Sequence, residues 1–297
     1  MDALFIYIAN KLEQIKYGPQ DGKSKIINLK EIKSFAFWRA VIAEFLATML
    51  FVFLGVASTL GGTGEAKEVK IGLTFGLAIM AMIQLTGHVS GAHINPAVSI
   101  AMAVAMKISI IKALLYVVAQ CAGGIIGAYI LRGCVDATFH SNLGVTNISN
   151  VVTPAQGFGI ELLLTFVLVG VIFGTTDGNR PAFGSPALLI GLTVALGHFS
   201  CIKLTGSSMN PARSLGSAVA SDSFENHWIY WVGPVVGGVL AAVVYILVLN
   251  PYRGVKSTEE ALQDMIQDEN FIVIPRDYFK DGKMKQAQNA SSHLGSA

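Results

Sequence analysis

Two short segments of the chain carry the same polar tripeptide, and each is followed by an apolar, alanine-rich stretch. They are Asn95-Pro96-Ala97 and Asn210-Pro211-Ala212. An Asn before a Pro is typical of a helix start, with the Asn as the N-cap and the Pro in the first helical position. Helix N-termini carry partial positive charge, and an Asn amide donates hydrogen bonds. Two such ends facing one point would bind passing oxygen atoms and repel cations; the alternative is that both Asn residues only cap helices.

Two ionisable side chains lie in or beside the apolar segments near the second tripeptide. Arg213 follows the tripeptide directly, and His198 lies in the apolar stretch before it. An ionised Arg at membrane depth is costly unless it is paired or lines an aqueous path, so Arg213 is a candidate functional residue. Taken alone, His198 would more often be a packing residue. An Arg opposite it would favour a pore-lining role.

Glu44 and Glu161 are acidic residues within long apolar stretches. Their distances to the following Asn of the tripeptide are similar, 51 residues from Glu44 to Asn95 and 49 residues from Glu161 to Asn210. Because a buried carboxylate needs hydrogen-bond partners, we expect both to accept hydrogen bonds from the loops that carry the tripeptides. Their predicted role is structural support.

The elements that position these residues are apolar enough to cross a membrane. Of 297 residues, 53% are hydrophobic and 13% are charged, whereas soluble domains have about 25% charged residues. Six stretches reach the roughly 20 residues that a membrane span needs. They are roughly 37–60, 69–88, 112–133, 157–176, 184–203 and 228–249. The stretches 95–105 and 210–220 are too short to cross.

The chain divides into two halves of three spans each, and each half carries one of the tripeptides. An odd number of spans makes the second half enter the membrane from the opposite side, which predicts an inverted-topology repeat. Non-helical backbone within a bilayer must be enclosed by protein or line a water-filled cavity, so we expect two half-helices that re-enter and meet in the middle. The spans carry glycine runs, as at Gly123-Gly124 and Gly237-Gly238, that permit close helix packing.

The predicted organisation follows from these spans and from the basic residues before the first of them. We expect a cytosolic N-terminal segment (1–36), a three-span repeat with its half-helix (37–133), an extracellular connector (134–156), a second, inverted repeat with its half-helix (157–250) and a cytosolic tail (251–297). The basic residues place the N-terminus in the cytosol, and an even number of spans returns the C-terminus there. No secretory signal is visible.

Composition and spacing argue against several classes of function. A net charge of +2 gives no reason to expect a nucleic-acid partner. Cys121, Cys134 and Cys201 lack metal-ligand spacing and are expected to pack rather than to form a disulfide or bind a metal. No nucleophile with a base, phosphate-binding loop or metal cluster is visible, so we expect neither an enzyme nor a cofactor.

Several segments are candidates for modification or regulation. Asn147-Ile148-Ser149 in the connector is a glycosylation sequon. Ser109, and Ser257 or Thr258 in the tail, are expected to be accessible hydroxyls that could be phosphorylated. The loop around 177–181 is expected to be a connector, with a gate as the alternative. The N-terminal stretch has apolar residues at helical spacing, and Ser257 with Glu260 forms a possible capping box in the tail.

The paired tripeptides, in an inverted repeat with Glu44 and Glu161, resemble the aquaporin (major intrinsic protein) family over roughly residues 35–252. The resemblance implies an all-α membrane protein of six transmembrane helices plus two re-entrant half-helices. It also implies a homotetramer in membrane lipid, in which each protomer has its own pore. In that pore the side chains of Asn95 and Asn210 meet at the centre.

The same resemblance implies a narrow constriction formed by Phe75, His198, Ser207 and Arg213. A bulky His and a Phe beside an Arg leave room for a molecule the size of water. Glycerol-conducting relatives typically carry Asp after the Arg, whereas this chain has Ser214; Ala218, Tyr230 and Trp231 also resemble the water-selective group. The expected function is therefore passive water conduction that excludes protons and ions, in the plasma membrane by default.

Three alternatives remain open from the sequence. A broader channel would also pass glycerol, urea or hydrogen peroxide, and His198 is the feature against it. A secondary transporter could share the inverted repeat and broken helices, but the centre offers no carboxylate for coupling ions. A structural membrane protein with a closed pore is the third.

Overall fold

The computed structural model describes residues 29–177 and 184–249. This part of the chain contains eight α-helices. They are α1 (Phe35–Ala57), α2 (Glu65–Ser90), α3 (Pro96–Val104), α4 (Ile110–Cys134), α5 (Pro154–Thr176), α6 (Pro186–Thr205), α7 (Pro211–Ser221) and α8 (Ile229–Val244). Helix α8 continues into a π-helical segment, Tyr245–Leu249, and two short 3₁₀ helices lie at Glu31–Lys33 and Ala137–Phe139.

Six of these helices are long and apolar enough to cross a membrane. Within the described part, α1, α2, α4, α5, α6 and α8 with its π-helical extension form spans of 20 to 26 residues, or roughly 30 to 39 Å at 1.5 Å per residue. This matches the hydrocarbon thickness of about 30 Å. Their outward faces expose large apolar side chains, including Leu77, Leu114, Leu163 and Leu192. The six predicted spans are confirmed.

Glycines allow the spans of each half to pack backbone against backbone. A Cβ added at Gly123 or Gly127 on α4 would overlap carbonyl oxygens of Phe45 or Met49 on α1. In the second half, a Cβ at Gly237 on α8 would overlap the Leu162 carbonyl on α5. The pair α1–α4 therefore corresponds to the pair α5–α8, and only glycine fits at these crossings.

The two short helices each pack against the opposite half of the chain. Helix α3 lies against α8, where a Cβ at Gly238 would come within 3.1 Å of the Ala97 carbonyl oxygen. Helix α7 lies against α4 through close contact between Gly124 and the backbone of Ala212, and between Gly216 and Gly124. The predicted fold of six membrane helices and two half-helices in an inverted repeat is confirmed.

Other sequence-based expectations have mixed outcomes. All three cysteines are free, but Cys134 at the end of α4 is exposed rather than packed.

Ser109 was expected to be accessible, and this is wrong, since it is only 6% exposed. Its hydroxyl caps α4 by accepting from the Lys112 amide at 3.0 Å and donates to the Glu31 carboxylate. The capping contact and the Glu31 side chain together bury this hydroxyl.

Asn147 is exposed, so its sequon lies on an accessible segment. The candidate N-terminal helix, the tail with Ser257, Thr258 and Glu260, and residues 178–181 of the candidate gating loop lie outside the described residues.

Candidate functional site

The two half-helices begin at the predicted Asn residues. The Asn95 side-chain oxygen accepts from the Ala97 amide at 2.9 Å, and that of Asn210 accepts from the Ala212 amide at 3.0 Å. A Pro occupies the first helical position in each case. The local sequence thus dictates the helix starts, because the Asn supplies an acceptor and the Pro has no N–H to leave unpaired.

The amide groups of the two Asn residues link the two halves of the chain. Asn95 Nδ2 donates to the Met209 carbonyl at 2.7 Å, and Asn210 Nδ2 donates to the Ile94 carbonyl at 2.9 Å. Both Asn side chains are buried. Each amide has two N–H donors, so one donor on each Asn is free of the cross-link. The two helix N-termini, with their partial positive charges, therefore meet at one place.

The loops before the half-helices have left-handed backbone at non-glycine residues. Gly91 and Gly206 end α2 and α6 with φ of 90° and 81°. Ile94 and Met209 then adopt φ of 58° and 54°. This conformation is unusual for a β-branched residue such as Ile, and it costs about 1–3 kcal/mol per residue. Contacts from elsewhere must hold these loops.

The Glu44 carboxylate binds the first loop. Its Oε1 accepts from Ser90 Oγ at 2.6 Å and from the His93 amide at 2.9 Å, and its Oε2 accepts from the Ile94 amide at 2.6 Å. Oε2 also accepts from Gln120 Nε2 at 2.8 Å. Four donors therefore satisfy both oxygens of a fully buried side chain.

Glu161 makes the corresponding contacts in the second loop. Its Oε1 accepts from Thr205 Oγ1 at 2.7 Å and from the Ser208 amide at 2.9 Å. Its Oε2 accepts from the Met209 amide at 2.8 Å. In both halves, two successive amides of a left-handed turn converge on one carboxylate, which is the geometry of a backbone anion nest.

The side chains of the predicted constriction come together from three helices and one loop. The rings of Phe75 (α2) and His198 (α6) stack with centroids 4.7 Å apart. The Arg213 guanidinium lies 4.9 Å from the centroid of Phe75. Ser207 donates its hydroxyl to the Gly197 carbonyl at 2.9 Å, so this donor is already used.

The polar groups of His198 and Arg213 are only partly satisfied. His198 Nδ1 lies 2.9 Å from the Val194 carbonyl, which assigns the proton to Nδ1 and leaves Nε2 as an acceptor. Arg213 Nη1 donates to the Gly144 carbonyl at 2.5 Å and to Ser217 Oγ at 3.2 Å. The His198 Nε2 and Arg213 Nε atoms are buried without a partner among the described residues. A buried acceptor and a buried donor are therefore available to a small polar molecule.

A cavity of about 490 Å³ connects the Asn pair with one end of the bundle. Its inner part is lined by Asn95, Asn210 and His198, and its outer part by Lys107, Asp177 and Tyr245. Most of the remaining lining is apolar. Such a lining offers few binding partners to a polar molecule that passes along it.

Sequence reasoning missed Tyr116 and Gly55, which complete the site, and it named Tyr230 only for its resemblance to the water-selective group, without the contact that it makes. Tyr116 and Tyr230 donate to the Ser90 and Thr205 carbonyls at 2.8 and 2.9 Å, in equivalent places of the two halves. Gly55 leaves room for the Phe75 ring, which a Cβ there would overlap. The spacing of 114 residues between the two tyrosines, close to the 115 between the Asn residues, was a signal that could have revealed that pair.

Comparisons with known proteins agree on one family. The family model described as "Major intrinsic protein" matches residues 31–245. The chain is 46% identical to human "Aquaporin-1" over 230 residues, which are 74% of this chain and 86% of that protein. It is 48% identical to mouse "Aquaporin-4" over 235 residues, which are 77% of this chain and 73% of that protein.

Among solved structures, the "aquaglyceroporin from Plasmodium falciparum" matches with a TM-score of 0.66 and 30% identity. The match covers 72% of this chain and 98% of that chain.

Proposed function

The chain belongs to the major intrinsic protein family, the aquaporins, and is an integral membrane channel; we propose that it conducts water selectively down osmotic gradients. Members of this family are channels rather than enzymes. The observation that carries the proposal of water selectivity is the clustering of Phe75, His198 and Arg213.

We propose that these three side chains, with Ser207, form the narrowest part of the pore. His198 Nε2 could accept from a water molecule, and Arg213 Nε could donate to one, so a single water would recover part of its lost hydration. Phe75 contributes an apolar wall against which no hydrogen bond forms. A larger polyol would have to fit its carbon chain past the stacked rings of Phe75 and His198.

The Asn pair supports the exclusion of protons and cations. Each Asn keeps one amide N–H beyond the cross-link to the opposite loop, and both lie at helix N-termini. A water whose oxygen accepts from both amides could not pass a proton along a continuous file. The positive helix ends would repel cations.

One specific observation favours a broader channel as the second candidate. A solved structure that matches this chain is an aquaglyceroporin, although the identity is 30%. Such a channel would also pass glycerol, and urea or hydrogen peroxide are further candidates. Against it stand His198 in the cluster and Ser214 directly after Arg213.

Glu44 and Glu161 support a channel over a coupled transporter. Both carboxylates are fully buried and accept hydrogen bonds from the loops that they hold. Releasing them to bind a coupling ion would free the left-handed loops. We further propose a homotetramer with both termini in the cytosol and residence in the plasma membrane.

Stopped-flow light scattering on proteoliposomes tests the proposal. Wild-type protein should accelerate osmotic shrinkage without raising glycerol uptake or proton leak. His198→Ala combined with Arg213→Val should admit glycerol or protons, because it removes both the wall and the positive barrier. Leu196→Ala, at an exposed position of the same helix as His198, is the matched control and should behave as wild type. Water flow at the background rate in wild-type vesicles, or unchanged leak in the folded double variant, would contradict the proposal.

A further inference from the structure

Three exposed cations lie where the chain enters its first membrane helix. Lys30 precedes the 3₁₀ turn Glu31–Lys33, Lys33 ends it, and Arg39 lies in the second turn of α1. Among the described residues the one ion pair is Lys203–Glu68, so these three cations have no carboxylate within bonding distance there. Residues 23–39 contain five basic residues and one acidic residue, Glu31.

The turn before α1 is folded against the helix. The Trp38 indole N–H donates to the Ile32 carbonyl at 2.8 Å, which brings the 3₁₀ turn beside the start of α1. The Glu31 carboxylate accepts from Ser109 Oγ at the start of α4. Glu31 therefore binds a hydroxyl of the protein rather than a cation, and Lys30, Lys33 and Arg39 still outnumber it, which leaves a surplus of two positive charges.

Exposed aromatic side chains accompany the cations. Phe35 is 79% exposed and Trp38 is 44% exposed, and the Arg39 guanidinium lies 6.0 Å from the Phe35 ring centroid. Aromatic rings of this kind lie at the boundary between headgroups and hydrocarbon. This places Lys30, Lys33 and Arg39 at the level of lipid phosphates. These three cations with Phe35 and Trp38 are called the basic patch below.

The opposite end of the bundle differs. The start of α2 and the end of α6 lie there. Lys203 pairs with Glu68 at 3.2 Å, and Lys70 donates to the Leu60 carbonyl at 3.3 Å. Lys67 lies between Glu65 and Glu68 in sequence. At that end Glu65 and Glu68 offset most of the charge of the three lysines, whereas the three cations at the entry to α1 have one acidic residue, Glu31, beside them.

We propose that the basic patch binds the headgroup of an anionic phospholipid of the surrounding membrane. An anionic leaflet attracts basic residues next to a membrane helix, and each contributes about a fivefold gain in binding. The apolar rings of the patch lie beside the acyl chains while the cations bind the headgroup. The patch thus selects acidic lipids at one edge of the channel, whether or not the channel conducts water.

Tryptophan quenching by brominated lipids tests the proposal. The chain has three Trp residues, and Trp228 and Trp231 lie at the start of the sixth span, at the opposite end from Trp38. In a Trp228→Phe/Trp231→Phe background, brominated phosphatidylserine should quench Trp38 with an apparent binding constant about fivefold or more above that of brominated phosphatidylcholine. High salt should reduce this preference, because screening weakens exposed charges.

Matched variants locate the effect. The triple variant Lys30→Gln/Lys33→Gln/Arg39→Gln should bring the ratio of the phosphatidylserine and phosphatidylcholine binding constants close to one. Lys67→Gln/Lys70→Gln/Lys203→Gln, which removes the same charge at the opposite end, should leave it unchanged. If the Trp background does not fold, the immobilised fraction of spin-labelled phosphatidylserine on the full native chain replaces quenching, with the same expectations. No preference in the wild type, or an equal preference in the first triple variant, would overturn the proposal. Neither readout depends on water permeability, so the two proposals fail separately.

Discussion

Replacing Glu161 by Gln is expected to release the loop that carries the second Asn-Pro-Ala tripeptide. In the native contacts, Oε1 accepts from Thr205 Oγ1 and the Ser208 amide, and Oε2 accepts from the Met209 amide. A Gln can keep its oxygen at the first position only by turning its NH₂ group toward the Met209 N–H. Two donors then face each other in a fully buried place.

The cost can be worked from these contacts. An unsatisfied buried Met209 N–H costs about 1–3 kcal/mol. The two remaining hydrogen bonds lose their charge assistance, and with it roughly half their strength. Relief from burying a charge offsets part of this, and we expect a net cost of about 3 kcal/mol. For a folded part of about 200 residues, the size of the described ranges, that is a fall of about 6–12 °C in the unfolding midpoint.

The functional consequence follows from backbone strain. Ser207 and Met209 have φ of 49° and 54°, and without the carboxylate these residues can relax. Asn210 Nδ2 would then lose its 2.9 Å contact with the Ile94 carbonyl. Water permeability per protein should therefore fall together with thermal stability.

The assay compares Glu161→Gln with a neighbouring control in detergent and in proteoliposomes. Thr165→Val on the same helix removes a buried hydroxyl that donates to the Glu161 backbone carbonyl at 2.8 Å. That carbonyl belongs to the helix, so the control should change the midpoint little. Thermal unfolding by circular dichroism and stopped-flow shrinkage give the two readouts. A Glu161→Gln protein with wild-type midpoint and wild-type water flow would refute this account of the loop.

Three further predictions concern other parts of the molecule. Gly237→Ala should lower the unfolding midpoint, because its Cβ would overlap the Leu162 carbonyl, at a cost of about 1–3 kcal/mol. Gly159→Ala, whose Cβ would have no atom within 4 Å, should leave the midpoint unchanged. Equal effects of the two substitutions would contradict the packing argument. In the Ser207→Cys protein a mercurial should inhibit water flow, and a reducing thiol should reverse that inhibition. Water flow that is insensitive to the mercurial would count against Ser207 as a pore residue. Burial lowers the pKa of His227, so below about pH 6.5 the unfolded chain binds more protons than the folded chain, and the unfolding midpoint should fall as the pH decreases. His227→Gln should reduce that fall. The same dependence of the midpoint on pH in this variant would exclude His227 as its source.

Much of the fold is predictable from local properties of the sequence. Apolar length alone identified the six spans, since a bilayer demands about 20 consecutive apolar residues whatever the rest of the chain does. The half-helix starts at Asn95 and Asn210 were equally local, because a cap and a Pro act within one turn. Matched spacing of Glu44 and Glu161 then indicated a repeat, and the odd number of spans in each half predicted its inversion.

The constriction of Phe75, His198, Ser207 and Arg213 was assembled from resemblance, and the geometry of all the predicted site residues required the tertiary structure. That Asn95 donates to the Met209 carbonyl depends on two loops 114 positions apart meeting at 2.7 Å. The burial of Ser109 likewise depends on Glu31, which lies 78 positions away in sequence.

Composition and spacing determine which segments enter the membrane, because that choice depends on the transfer energy of each segment by itself. Which buried donor meets which acceptor was decided only by helix packing. The carbonyls of Ile94 and Met209 face the opposite Asn amides because glycines such as Gly124 and Gly238 let each half-helix approach the other half of the chain. That approach is a property of both surfaces together, and no single stretch of sequence contains it.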